Sequence, residues 1–171
     1  MAEVIPPRPI AAPPDQAVVV FVRPSNLAYA VSANILDETG RFLGDMPARG
    51  HFAASLPPGR HMLIVWAENT DAMTVSLLPG RIYFIEVYAS MGAWSAHMHL
   101  RAIKPSLPSW YEKDNCMRST TQYVADVASG QANLAGRQDD LRERLRRGQE
   151  HLSQYQGADL DAHSLAETDG F

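Results

Sequence analysis

The chain has one cysteine, Cys116, so no disulfide can close within it and no C-x-x-C redox or zinc signature is possible. The lone thiol reads as a buried side chain, the usual place of a free cysteine. No run of about 18 apolar residues occurs, which excludes a membrane-spanning helix. Positive charge is scarce as well: the formal net charge is −4 and no Lys/Arg stripe runs along the probable strands, so nucleic acid is not expected as a partner. There is no G-x-S-x-G elbow and no glycine-rich loop placed to cradle phosphate. The opening MAEVIPPRPIAAPPDQ lacks a basic segment followed by an apolar stretch. The chain as written is therefore expected in the cytoplasm, with a periplasmic or envelope location as the alternative if a leader was removed.

What is present is enough for one core. Of 171 residues, 46% are hydrophobic and 20% charged, a composition that folds. Five prolines, at 6, 7, 9, 13 and 14, make residues 1–16 a proline-rich tail without regular structure. Ala17–Arg23 is short, β-branched and closed by Pro24, which predicts a strand. A second strand is expected over Leu27–Leu36, and Asp37-Glu38-Thr39-Gly40 turns it into a hairpin. Leu56-Pro57-Pro58-Gly59-Arg60 and Leu78-Pro79-Gly80-Arg81 then mark two similar corners, each launching an apolar run. At both, glycine is expected to take positive φ and arginine to face solvent. Met73, Val75 and Leu77 alternate with Thr74 and Ser76. Trp94, Ala96, Met98, Leu100 and Ala102 alternate with Ser95, His97, His99 and Arg101. About eight short strands separated by turns predict an antiparallel β-sandwich, immunoglobulin- or transthyretin-like, over residues 17–104.

Four segments carry a resemblance: AVVVFVRPS, DETGRFLGDM, HFAASLPPGRH and TVSLLPGRIYFIEV. Together they resemble the bacterial family catalogued as domain of unknown function 2846. The resemblance implies a small β-sandwich, of a kind often found as a lipoprotein, and carries no catalytic residue. Unlike many members, this chain shows no leader with a lipid-accepting cysteine, and it continues past the family domain.

Residues 105–156 are expected as a C-terminal α-helical extension. Val124, Val127, Leu134, Leu141, Leu145 and Leu152 recur at helical spacing and form one stripe, with Gly130 and Gly136 as places where it breaks into two helices. Because Val18–Phe21, Met62–Trp66 and Ile82–Ile85 run apolar without alternation, their sheets should be covered on both faces, and this stripe is the expected cover. Arg142, Arg144, Arg146 and Arg147 alternate with acids, a self-neutralising solvated face. Residues 157–171 are read as a loose acidic tail.

For chemistry, His97 and His99 share a strand face, and an H-x-H pair can bind metal when further ligands approach. His61 and Glu86 are the candidates for that role. Without a clear third ligand the pair is read as a solvated or helix-covered face, and no cofactor is expected. The leading expectation is thus a non-enzymatic binding or structural module that meets protein partners, or its own copies, through sheet edges and the C-terminal helix. The alternative is a small-molecule or metal-binding protein, with enzymatic activity in its range, that uses His97 and His99.

Overall fold

The computed structural model describes residues 1–92 and 95–171, so the inward position expected for Trp94 lies outside the described residues. Among the described residues eleven strands form: β1 (Ala2–Glu3), β2 (Ala17–Arg23), β3 (Asn34–Asp37), β4 (Phe42–Asp45), β5 (Gly50–Leu56), β6 (Gly59–Trp66), β7 (Thr70–Leu77), β8 (Ile82–Met91), β9 (Ala96–Ile103), β10 (Thr121–Val124) and β11 (Ser164–Leu165). The helices are α1 (Ser109–Arg118), α2 (Val127–Ala135), α3 (Gln138–Gln154) and α4 (Gly157–Ala162). The first sheet runs β1-β10-β5-β2-β8-β9 and the second β11-β7-β6-β3-β4.

The protein is mainly β with helices at its C-terminal end, but the sheets are mixed and not antiparallel throughout. β2 pairs in parallel with β8, β10 with β5, and β11 with β7. The topology is the reason. After β2 the chain builds β3 and β4 in the second sheet, visits the first for β5 and the second again for β6 and β7. It then returns beside β2 in the same direction. The two Pro-Gly-Arg corners make two of these crossings: Gly59 carries the chain from β5 in the first sheet to β6 in the second, and Gly80 carries it back from β7 to β8. Their φ values of +124° and +70° lie in the region that a Cβ disfavours. Arg60 and Arg81 are exposed. The repeated phrase is therefore a device for changing sheets.

Between the sheets lies one core, with Val19, Phe21, Phe52, Ile85, Val87 and Leu100 from the first and Ile35, Leu63, Val65, Met73 and Val75 from the second. A second core lies outside the second sheet, where Leu134 of α2 and Leu141 of α3 pack on Leu36, Phe42, Ile64, Trp66 and Ala72, flanked by Leu145 and Leu152. Gly40, at φ +80°, lies against the Leu141 side chain. Four of the six stripe residues thus cover the sheet. The other two do not: Val124 belongs to a strand, β10, and Val127 starts α2, and both are exposed. Gly136 caps α2 and separates it from α3.

The apolar run of β2 has a different cover from the one expected. Residues 4–11 cross the outer face of the first sheet: the Arg8 N–H donates to the Gln122 side chain, the Gln122 amide donates back to the Arg8 carbonyl, and Ile10 and Ala11 border Val18. The loop before β3 also departs from expectation, for a visible reason. Arg23 is fully buried, and its guanidinium donates to the carbonyls of Leu27 (2.7 Å), Ala28 (2.7 Å), Val31 (3.2 Å) and Met46 (3.3 Å). That fork holds residues 27–31 as a turn, so the strand begins only at Asn34. The last fifteen residues are structured as well. α4 leads into β11, Leu165 enters the main core, and Phe171 exchanges backbone hydrogen bonds with Ile82. Among the described residues, no helix is long and apolar enough to cross a membrane.

Candidate functional site: a buried carboxylate among imidazoles

β9 is an edge strand, and its outward backbone groups would be unpaired without help. The start of β7 supplies it. Asn69 accepts the Met98 N–H at 2.7 Å and donates to the Met98 carbonyl at 2.8 Å, acting in place of a neighbouring strand. Asp71, two residues on, accepts the Leu100 N–H at 2.9 Å. These bonds join the sheets along one side and fix Asp71 with none of its side chain exposed.

The Asp71 carboxylate is surrounded. Oδ1 accepts the Ala72 N–H at 2.8 Å and the Tyr155 hydroxyl at 2.5 Å, and the Nδ1 of His151 in α3 stands 3.5 Å away. Oδ2 faces Nδ1 of His99 at 3.5 Å and Nε2 of His163 at 3.6 Å. Burial alone would raise the Asp71 pKa, but His163, His99, Tyr155 and the Leu100 N–H stabilise the anion more, and its pKa falls well below the ordinary carboxylate range. The same anion, added to burial, pushes the Tyr155 phenol far up. Nδ1 of His163 lies 2.7 Å from the Asp159 carbonyl, while its Nε2, buried at 3.6 Å from Asp71, makes no hydrogen bond. Burial opposes a positive charge on the ring, and Asp71 with the Asp159 carbonyl outweighs it, raising the His163 pKa. The Tyr155 ring stacks on His163 at 3.9 Å.

The imidazoles approach the carboxylate from separate elements, β9, α3 and the end of α4. Among the described residues no group of three or more His, Cys, Asp or Glu side chains is placed to hold a metal ion. The residues named as extra ligands for His97 and His99 are engaged elsewhere: His61 contacts Glu38 and the Pro57 carbonyl, and Glu86 pairs with Arg101 at 2.6 Å. Cys116 is half-buried in α1, and burial raises its thiol pKa, which keeps it protonated and unreactive.

Outward from Asp71, His99 reaches a second group. Its Nε2 is 2.9 Å from Ser90 Oγ on β8, and its ring stacks on Tyr88 at 5.2 Å. His97 stands directly across from Ser90 in the strand register. His97 and His99 then line a cleft of about 470 Å³ with Thr70 of β7 and Arg147, Glu150 and His151 of α3. Glu150 is tied to Arg146, and Arg147 to Glu143 at 2.7 Å, so the arginine face neutralises itself as its sequence suggested. Arg144 departs from that pattern. It leaves Asp140 to Arg137, donates to Thr70 Oγ1 at 3.0 Å and lies over the Trp66 ring.

Of the side chains around Asp71 and Ser90, the sequence had drawn attention to His97 and His99 alone. Asp71, Ser90, His151, Tyr155 and His163 are distant along the chain. The local signal was weak: Asp71 follows Asn69 and Thr70, turn-forming residues, at the head of a strand that alternates polar and apolar side chains, so nothing marked it as buried. No protein-family model matches the chain and no curated protein matches it, so the comparisons leave the resemblance to domain of unknown function 2846 where the four sequence segments put it.

Proposed function

We propose that the protein binds a small, acceptor-rich molecule, such as a compact carboxylate, in the cleft between β9, the start of β7 and α3. The observation that carries this reading is the gathering of His97, His99 and His151 with Arg147 around one open cavity of about 470 Å³. Pockets of this size hold small ligands, and a few converging polar groups orient them. The one carboxylate on the wall, Glu150, already faces Arg146. The charge of Asp71 beneath is answered by His163 and Tyr155. His97, His99 and His151 are therefore the groups that a ligand would meet, with Arg147, also paired with Glu143, beside them.

The partner-protein reading has less surface to work with. Leu134, Leu141, Leu145 and Leu152 pack on the chain's own sheet, and the edge of β9 is taken by Asn69 and Asp71. β11 lies along the edge of β7. Citrate, a compact polyanion, tests the proposal. Titration into the full chain should shift the ring-proton NMR signals of His97, His99 and His151 together and saturably, and His97→Ala with His151→Ala should weaken the effect at least tenfold. Shifts that never saturate, or that arise at His61 as readily as at these three, would sink the reading.

A further inference from the structure

We propose that Ser90, His99 and Asp71 form an acyl-transfer site that hydrolyses carboxylic esters held in the cleft, an inference that rests on the cleft being a small-molecule site. The three side chains stand in line. Asp71 Oδ2 lies 3.5 Å from His99 Nδ1, and His99 Nε2 lies 2.9 Å from Ser90 Oγ. A nucleophile within reach of a base, and a base oriented by a third group, is the arrangement that activates a hydroxyl. Each member sits on a strand, β7, β9 or β8, so the sheets set the spacing and no mobile loop has to.

Each part has its support. The Ala72 and Leu100 N–H groups and the Tyr155 hydroxyl fix the Asp71 carboxylate. The Tyr88 ring, stacked on His99, fixes the plane of the imidazole. With Asp71 facing Nδ1, the favoured neutral tautomer carries its proton there, and Nε2 is left basic and aimed at Ser90. Asp71 is thus a positioning residue, while Ser90 and His99 meet the substrate.

In the first step Ser90 Oγ forms a bond to the ester carbonyl carbon as its proton passes to His99 Nε2. The carbon–oxygen bond to the alcohol then breaks, and His99 returns that proton to the departing alkoxide. Water repeats the sequence on the acyl-serine: its oxygen bonds to the carbonyl carbon, its proton goes to His99, and the serine oxygen leaves and takes the proton back. The products are an acid and an alcohol. His97, across from Ser90 in the register and lining the same cleft, is the candidate donor for the oxygen that becomes negative. His99 lines the cleft, and Ser90 borders it through the 2.9 Å contact with His99.

The test is covalent capture on the full chain. Phenylmethylsulfonyl fluoride should add one sulfonyl group per chain, located at Ser90 by peptide mass mapping, and Ser90→Ala and His99→Gln should each abolish it. 4-Nitrophenyl acetate hydrolysis should be at least about 100-fold faster for the natural chain than for Ser90→Ala, the usual scale of a positioned base. Asp71→Asn, taken only where circular dichroism shows a folded chain, should slow labelling and move its pH profile to lower pH, which a purely structural role would not do. The absence of an adduct on Ser90, or equal hydrolysis by Ser90→Ala and the natural chain, overturns the proposal. If citrate still shifts His97 and His151 in that case, only the ester chemistry falls; if those shifts are missing too, the cleft reading falls with it.

Discussion

Replacing His163 with alanine removes an imidazole that faces Asp71, with its pKa raised by that anion, and a ring stacked on Tyr155. Hydrogen bonds and close pairs involving a charge are worth about 1.5–3 kcal/mol, and an aromatic stack about 0.5–1.5 kcal/mol. His163 is 8% exposed, so solvent screens the pair little. The Tyr155 hydroxyl, two N–H groups and two further imidazoles remain around Asp71, so the sum is taken as about 2–4 kcal/mol and not the larger cost of a stranded charge. That is a large share of the roughly 5–15 kcal/mol that holds a domain together. The effect depends on pH with a definite sign. The folded pKa of His163 is raised, so its contribution is complete below the unfolded value of about 6.5 and disappears as pH rises through the folded value. Asp71 is the opposite case: its depressed pKa gives a contribution complete above about pH 4 and lost only in strong acid. Urea unfolding of the natural chain and His163→Ala at pH 5.5 and pH 9 should give a gap of about 2–4 kcal/mol at the lower pH. The gap should shrink at the higher pH, toward the roughly 1 kcal/mol of the stack. Amide exchange at Ser164 and Leu165 should quicken in the variant. A gap equal at both pH values would show that His163 acts through packing alone, and the charge argument would be refuted.

Arg23→Lys should cost about 3 kcal/mol or more in thermal or urea unfolding, because an ammonium cannot reach the four carbonyls that the planar fork serves; a cost under 1 kcal/mol would mean the loop holds itself. Gly59→Ala and Gly80→Ala should each lose about 1 kcal/mol from backbone strain, since open space surrounds both positions. Gly130→Ala should lose about 1–3 kcal/mol for another reason, a methyl group driven into the buried Phe42 ring, and chemical denaturation of the three variants checks the ranking. Ending the chain after Lys104 should give insoluble protein by uncovering Leu36, Phe42, Ile64 and Trp66, and a soluble fragment of unchanged thermal midpoint would contradict the second core.

Local signals predicted local structure well. β2 matches Ala17–Arg23 because β-branched residues end at a proline, and Ala96, Met98, Leu100 and Ala102 point inward as their alternation required. Positive φ at Gly59 and Gly80 follows from the same kind of reading. What could not be read was whatever depends on pairing at a distance. Alternation fixes which side of a strand is apolar and says nothing about its neighbour, so the parallel partnership of β2 with β8 was invisible. Arg23 read only as the last residue of a strand, and only the folded loop shows four carbonyls turned toward it. The candidate site was half legible. His97 and His99 stood out as an H-x-H pair, whereas His163, in what read as a loose tail, and Tyr155, within the expected helical extension, gained meaning only once α4 folded back to β7. Val124 misled because helical spacing continues through β10 by coincidence of composition.

The parallel partnership at the centre of the first sheet also bears on how the protein comes to be folded. Val18 meets Ile82 only after on the order of sixty residues have intervened, and such long-range pairing is slow to form. During synthesis β2 must leave the ribosome, an unbroken apolar strand, and wait while both crossings of the second sheet are made. Until β8 emerges, one of its edges has no partner but another nascent chain. Refolding from urea should therefore lose yield steeply as protein concentration rises, and a helper that shields an extended apolar segment for that interval would restore it.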